Sequence, residues 1–397
     1  MVNQVNKTNF NEKEAMFFKL LDIITPYYFY SLIMAASYFL ILSIANHYEM
    51  WRFNHGPKIF DGPMVSVLIP MRNEETNARN CIASLQNQLY KNYEILVIND
   101  NSTDKTADIL SELANKDKRI RVFNGQPLPD DWYGKPFSIH QLSKHAKGEI
   151  LIFTDADTIH NPASLSWAVT NIKRLNVDMI SGYIGQVFET FGEIITIPLM
   201  FFITSFIMPL NFNRFFKSSI FSAAVGQFIA IKHDVFKAIG GCELFKKKTT
   251  EDVYMSRYVK KKGYKTRFLN LCDHVQCRMY KGHRDAIEGI GKNVFDFFGK
   301  KTIVILLLLI AVLIFLFLPF PLLFFCIATN SKWIVHIIIV NCLYSITWVF
   351  TFLRQRLNWW YFILWPLMYL NLMYMAGWAW FRTITGKGFI WKGRKVT

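Results

Sequence analysis

Four stretches of this chain run for more than twenty residues without a Lys, Arg, Asp or Glu: Ile23 to His47, Thr302 to Ala328, Trp333 to Leu353 and Trp359 to Phe381. A helix of about 20 apolar residues crosses the hydrocarbon of a bilayer, so these stretches predict membrane helices. The first is too long for a signal-peptide core and follows Lys19 and Asp22 with no small-residue cleavage site, so it is expected to stay on the chain. Trp333, Trp359, Trp360, Trp378 and Trp380 sit near the borders of the later runs, where interfacial belts place tryptophan. Hydrophobic residues make up 52% of the chain and charged residues 19%, against about 25% charged in soluble domains. That excludes a disordered tail and a purely soluble enzyme. The net charge of +16 is unevenly distributed: from Lys301 onward there are nine Lys or Arg and no acid. With apolar runs alongside, the expected partner of that charge is a membrane with anionic headgroups, not nucleic acid. The six cysteines form no CxxC pair and no regular spacing, so they read as buried thiols, not as a disulfide framework or zinc site.

The chain thus divides into an N-terminal segment (1–22), a membrane helix (23–47), a central domain (63–300), membrane helices (302–381) and a basic tail (382–397). Ile194 to Phe212 is also apolar, but a crossing there would put acidic motifs on opposite sides of the bilayer, and Pro198 and Pro209 interrupt it. It reads as an interfacial or re-entrant helix, and the amphipathic stretch around 281–299 as a second interfacial helix. The positive-inside rule assigns the basic domain, the Arg354-Gln355-Arg356 turn and the tail to the cytoplasm of a multi-pass cell-membrane protein. Three simple crossings after the domain would put the tail outside. Either Thr302 to Ala328 is a hairpin broken at Pro319 and Pro321, or one later segment lies in the interface; the sequence leaves both open.

Within the central domain, apolar strands alternate with helices: Val65 to Pro70, a helix from Thr76 to Leu89, Tyr93 to Asp100, a helix from Thr103 to Ala114, Arg119 to Asn124, a helix from Pro136 to Lys147, then Glu149 to Thr154. The pattern predicts an α/β domain with a Rossmann-like, mostly parallel sheet covered on both faces. Ligands of such sheets bind beyond the carboxyl ends of the strands. Glu74, Asp100, Asp155 and Asp157 fall there. The pair Asp155 and Asp157 suits a hard divalent cation able to bridge to a diphosphate. Lys135 precedes a helix whose first amides favour an anion, and Glu251 and Asp252 open another helix. Helix capping or a solvated lysine explains each of these singly. Capping does not explain their order along the chain.

That order is the order of a known architecture. Pro70-Met71-Arg72-Asn73-Glu74-Glu75, Ile98-Asn99-Asp100-Asn101-Ser102-Thr103-Asp104, Asp155-Ala156-Asp157 and Thr250-Glu251-Asp252 resemble the motifs of family 2 glycosyltransferases of the GT-A fold. More narrowly, Trp132-Tyr133-Gly134-Lys135, Cys277-Arg278-Met279-Tyr280 and Trp391-Lys392-Gly393-Arg394 are similar to the membrane 4,4'-diaponeurosporenoate glycosyltransferases of staphyloxanthin-type carotenoid synthesis. The resemblance implies that Pro70, Arg72, Glu74 and Asp100 help hold the nucleotide and that Lys135 and Asp155 approach its diphosphate. It further implies that Asp155 and Asp157 bind Mg²⁺ or Mn²⁺, that Asp252 is the base, and that Arg278 contacts diphosphate or acceptor. It also implies an inverting transfer of a hexose, from UDP-glucose, to the carboxyl of a carotenoid acid.

One departure bears on the acceptor. Processive synthases of the family carry Q-x-x-R-W after the base, whereas this chain reads Gln276-Cys277-Arg278-Met279-Tyr280, with shorter spacing and no tryptophan. A single transfer to a lipid is therefore expected over chain extension. Rival readings are a polyprenyl-phosphate or sphingolipid-type sugar transferase, a polysaccharide synthase, and a transporter or scaffold with a degenerate sugar-binding domain. Oligomeric state is not legible.

Overall fold

The computed structural model of the protein describes residues 2–51, 58–202, 206–210, 212–216, 218–297, 301–391 and 394–396. Helix α1 (Val2–Trp51) leads into the central domain, which begins β1 (Val65–Met71), α2 (Ala78–Gln86), β2 (Tyr93–Asn99), α3 (Thr106–Lys116), β3 (Ile120–Asn124), α4 (Gly134–Ser143) and β4 (Ile150–Thr154). The alternation read from the sequence is present, with element ends shifted by a few residues. There follow β5 (Thr158–His160), α5 (Ser164–Arg174), β6 (Met179–Gln186), α6 (Phe191–Thr196), α7 (Phe212–Phe215), β7 (Phe228–Lys232), α8 (His233–Ala238), α9 (Glu251–Lys261) and β8 (Thr266–Cys277).

Because side chains alternate across a strand, each strand supplies two cores. Val65, Val67 and Ile69 of β1, Ile95 and Val97 of β2, and Ile150 and Ile152 of β4 pack with α2, α3 and α5. Leu68, Leu96, Leu151 and Phe153 face the opposite side, against α4, α8 and α9. The eight strands form one sheet in the order β3-β2-β1-β4-β7-β6-β8-β5. The β3-β2-β1-β4 half is parallel, as is β6 with β8. β7 runs antiparallel to both β4 and β6, and β5 antiparallel to β8, so the sheet is mixed.

The run from Ile194 to Phe212 is not one helix. It begins in α6 and continues as a 3-10 turn, Ile197–Phe201, that has Pro198 near its start, and residues 203–205 and 211 lie outside the described residues. The second amphipathic stretch is α10 (His283–Phe297). Beyond it come α11 (Thr302–Ala311), α12 (Pro319–Ala328), α13 (Ile334–Arg354), α14 (Trp365–Ile384) and a two-stranded hairpin of β9 (Phe389–Trp391) and β10 (Arg394–Val396).

Three helices are long and apolar enough to cross a membrane, Asp22–Met50, Ile334–Arg354 and Trp359–Ile384, among the described residues. Thr302–Phe317 and Pro319–Ala328 meet at a bend of 41° and together are long enough for a fourth. The bend makes the pair a broken span or a re-entrant loop. The cause is Pro319, which has no N–H to offer the Phe315 carbonyl one turn earlier. Tyr344 donates to that carbonyl instead at 2.5 Å, and Asn341 donates to the Pro319 carbonyl at 3.0 Å. In an apolar setting such replacement bonds are what a proline kink requires. The final segment packs on helices of the central domain. Asn371 of α14 donates to Thr196 at 2.8 Å and bonds His283 at 3.0 Å, while a Cβ on Gly291 of α10 would lie 3.3 Å from the Trp378 ring.

Where β6 and β8 pair, the backbones leave no room for a side chain: a Cβ on Gly182 would stand 1.8 Å from the Leu269 carbonyl oxygen. Gly182→Ala is expected to cost about 1–3 kcal/mol through overpacking, read as a lowered thermal midpoint of the purified protein. A midpoint unchanged from the parent would show that the two strands can separate freely there.

Candidate active site

The loops that leave the carboxyl ends of β1 and β2 are shaped by two asparagines in the left-handed region, Asn73 (φ 53°) and Asn101 (φ 52°), a conformation Asn tolerates better than most residues. The loops bind each other. Asn73 accepts from Thr103 N–H at 2.8 Å, its own N–H meets Ser102 at 3.0 Å, and Arg72 donates to the carbonyls of Asp100 and Asn101 at 2.7 and 3.1 Å. Asp104 receives Thr106 N–H at the start of α3, so the turn is closed without Asp100. Capping therefore does not account for Asp100, which is buried (5% exposed) with Glu74 close to the same value at 6%.

Beyond β4, Thr158 donates to the Asp155 carbonyl at 2.7 Å and shares a bond with Thr154 at 2.9 Å, pinning the Asp155-Ala156-Asp157 loop from behind. His160 completes this network, and burial holds its pKa down to about 3, so it stays neutral. Asp155 points at Lys135, whose ammonium lies 2.6 Å from it and 3.1 Å from Glu251. Burial alone would lower the Lys135 pKa; Asp155 and Glu251 more than offset this and hold the ammonium charged. The lysine read as solvated or phosphate-bound is thus the centre of an acidic cluster.

Asp252 completes that cluster. One oxygen accepts Gly226 N–H at 2.7 Å and the other Val253 N–H at 2.8 Å. Burial and then the neighbouring Glu251 charge push its pKa up to about 7, against the pull of Lys135. A carboxyl with such a value can exchange a proton near neutral pH. Gly226 lies close to the cluster: a Cβ there would stand 2.9 Å from the Lys135 nitrogen, which would have to shift. No motif in the sequence marks Gly226, and Glu251 stands in the Thr250-Glu251-Asp252 motif with no role beyond capping assigned to it.

All nine residues picked from the sequence (Pro70, Arg72, Glu74, Asp100, Lys135, Asp155, Asp157, Asp252 and Arg278) line one cavity of about 1090 Å³. Arg278 stands apart from the others in its bonding. Its guanidinium is 2.9 Å from Glu193, a fully buried carboxylate, and also pairs with Glu189. Glu193 further accepts Gly282 N–H at 2.7 Å, so this cluster ties α6 to the segment before α10. Tyr280, two residues after Arg278, is buried beneath α10, where a Cβ on Gly289 would come within 2.0 Å of its ring. The cavity also has an apolar arm formed by Leu199 and Phe202 of the broken run, Ile290 of α10, Leu308 of α11, and Leu372 and Met375 of α14.

No group of three or more His, Cys, Asp or Glu gathers into a metal cage among the described residues. Asp155 and Asp157 are nonetheless hard oxygen donors facing one cavity, and Mg²⁺ is commonly held by one or two carboxylates plus substrate phosphates. The donor set fits such an ion.

Comparison with known proteins agrees with this geometry. Residues 66–240 match the family model described as Glycosyl transferase family 2. Probable glycosyltransferase YdaM of Bacillus subtilis is 26% identical over 259 residues, 64% of this chain and 59% of that protein. A beta-monoglucosyldiacylglycerol synthase of a Nostoc species is 37% identical over 97 residues, 24% of this chain and 20% of its own length. The chain therefore spans less than two thirds of these curated relatives. Among solved structures, the mannosyltransferase PcManGT from Pyrobaculum calidifontis, in complex with GDP-Man and Mn²⁺, superimposes with a TM-score of 0.51 at 14% identity, covering 89% of this chain and 99% of that one. The fold is that of the GT-A glycosyltransferases.

Lys135→Met removes the cation that opposes protonation of Asp252, so the Asp252 carboxyl is expected to titrate above its parent value of about 7. Infrared titration of the carboxyl band, with Asp252→Asn to assign it, reads the shift; a downward or absent shift would detach Lys135 from the cluster.

Proposed function

We propose that this chain, whose residues 66–240 form a glycosyl transferase family 2 domain, is a membrane-bound glycosyltransferase that moves a hexose from a nucleoside-diphosphate sugar to a lipid acceptor. The observation that carries this reading is the cavity: one continuous space runs from the acidic cluster at Asp155, Glu251 and Asp252 into an apolar arm between α10, α11 and α14. A soluble sugar nucleotide and a greasy acceptor can each enter at the end that suits its chemistry. Transporter function is less well supported, since the polar Asn341 and Asn371 of the late helices are spent on structural bonds.

In this reading Arg72, Glu74, Asp100 and the Pro70 strand end frame the nucleoside. Asp155 and Asp157 would hold Mg²⁺ or Mn²⁺ with the donor phosphates, and such an ion neutralises charge developing on the leaving diphosphate. Lys135, already charged and on the first turn of α4, exchanges a carboxylate partner for a phosphate oxygen when donor arrives. The acceptor oxygen forms its bond to the anomeric carbon as the bond from that carbon to the phosphate oxygen breaks. The nucleoside diphosphate departs, and a single displacement inverts the configuration. An alcohol acceptor gives its proton to Asp252. Arg278, held by Glu193 and Glu189, braces the cavity wall.

For the acceptor we favour a carotenoid acid, with UDP-glucose as donor, on the strength of the Trp132-Tyr133-Gly134-Lys135 and Cys277-Arg278-Met279-Tyr280 resemblance. In this reading the domain and the basic tail face the cytoplasm, the side that the positive-inside rule gives to their Lys and Arg.

A carboxylic acid is already ionised at neutral pH, so it makes little demand on a base. Asp252→Asn is expected to slow transfer to an alcohol by roughly 100-fold to 10,000-fold, and transfer to the matched acid by much less. On the alcohol, parent activity should rise as pH passes about 7, where Asp252 loses its proton; on the acid it should stay flat there. Equal losses on both acceptors would defeat the assignment. Asp157→Asn should abolish transfer at every metal concentration, and turnover persisting in excess chelator would remove the ion from the mechanism. The overall reading is tested by supplying labelled nucleotide sugar to membranes and weighing the hexose adduct in the lipid extract.

A further inference from the structure

A second feature of the domain begins at Ile207, on the cavity wall, and extends over α7 and the 3-10 turn Ser219–Phe221. Ile207, Phe212, Phe215, Phe216 and Ile220 are 42% to 71% exposed. The rings of Phe212, Phe216 and Phe221 lie within 5.0–5.8 Å of one another, so the group is ordered rather than a scatter of surface residues. Contiguous exposed apolar side chains of this kind mark an interaction site more often than scattered ones do.

Two observations identify what covers it. The first is position. Tyr38 of α1 donates to the Ile207 carbonyl at 3.2 Å, and Asn46 both donates to the Met208 carbonyl at 3.0 Å and accepts Leu210 N–H at 2.9 Å. These residues of α1 lie in the second half of the membrane-length stretch Asp22–Met50, so the patch sits beside the end of that helix nearest the domain. The second is charge. The Arg214 guanidinium lies 5.6 Å from the Phe215 ring centre, Lys260 donates to the Asn213 carbonyl, and Arg267 donates to the Thr266 carbonyl at 2.9 Å. These cations crowd one another. Burial lowers the Lys260 pKa and Arg267 lowers it further; at Arg267, burial and Arg214 act together against the opposing Glu49 carboxylate. Phenylalanines beside a cluster of cations, level with the end of a membrane helix, match the boundary between headgroups and acyl chains.

We infer that Phe212, Phe215, Phe216 and Phe221, with Arg214, Lys260 and Arg267, are a seat for anionic phospholipid headgroups that holds the catalytic domain down on the leaflet. This rests on the reading of α1 as a membrane helix. The seat fixes the height of the domain so that the apolar arm of the cavity opens at the acyl chains, and it makes that height depend on lipid charge.

The test places a nitroxide at residue 215 of the full chain (Phe215→Cys in a Cys342→Ser background) in vesicles of phosphatidylcholine with or without phosphatidylglycerol. Power-saturation spectroscopy then compares access to oxygen with access to a nickel chelate. In phosphatidylglycerol vesicles the label is expected to favour oxygen, and adding Arg214→Glu should shift it back toward nickel. A control label at Lys116→Cys, on the far side of the sheet, should favour nickel throughout. If residue 215 is as open to nickel as residue 116, the seat does not exist. Spin broadening that needs no anionic lipid would show a second copy on the patch and overturn the inference equally. A label at Met34→Cys separates the two readings: oxygen preference at residue 34 without it at residue 215 sinks the seat alone, whereas nickel access at residue 34 sinks the membrane reading of α1.

Discussion

The ammonium of Lys135, set between Asp155 and Glu251 with Asp252 beside it, is the contact on which the catalytic end depends. Three carboxylates brought to one wall of a cavity repel each other, and without a cation they would take up protons to relieve it. Two unit charges about 4 Å apart near a protein surface interact by about 4 kcal/mol, so a single well-placed lysine decides whether the site is acidic or neutral. It also explains a bare backbone position. Gly226 lets the lysine nitrogen come close to the backbone, and its N–H holds Asp252.

The sheet decides which residues reach that ammonium. β1, β2 and β4 run parallel, so their carboxyl ends present Glu74, Asp100 and Asp155 at one edge. β7 runs the other way, pairing Phe228 with Thr154, and so it is its amino end that brings Gly226 to the same edge. β8 reverses once more and pairs Cys277 with Thr158 of β5, which seats the Arg278 segment opposite the Asp155 loop. Direction changes in a mixed sheet thereby gather groups more than a hundred residues apart.

The membrane helices serve the same end. A lipid acceptor needs an apolar path to a polar reaction, and the cavity shows one built from both sides, with Leu199, Phe202 and Ile290 from the domain and Leu308, Leu372 and Met375 from the late helices. The Glu193 and Arg278 cluster and the bonds of Asn371 to Thr196 and His283 join those two sides. Buried charge and buried amides of this kind are costly to separate, which keeps the path in register with the acids.

The amino-acid sequence alone determined the alternation of strands and helices, the apolar runs and the acidic loop positions, because hydrophobic period and uncharged length are local properties. It placed Glu74, Asp100, Asp155 and Asp157 together because a parallel sheet gathers its strand ends, while Pro70, Arg72, Lys135, Asp252 and Arg278 were carried by the resemblance in motif order; all nine share one cavity. It did not show that Lys135 binds Glu251 as well as Asp155, that Arg278 is matched by a buried Glu193, or that Gly226 anchors Asp252. Nor did it show that Tyr344 and Asn341 supply the hydrogen bonds at the Pro319 bend. Those outcomes were decided by tertiary structure. Each depends on contacts between distant segments, where the direction of β7, the carbonyl bond of Tyr344 and the packing of α14 on α10 set which partner is within reach.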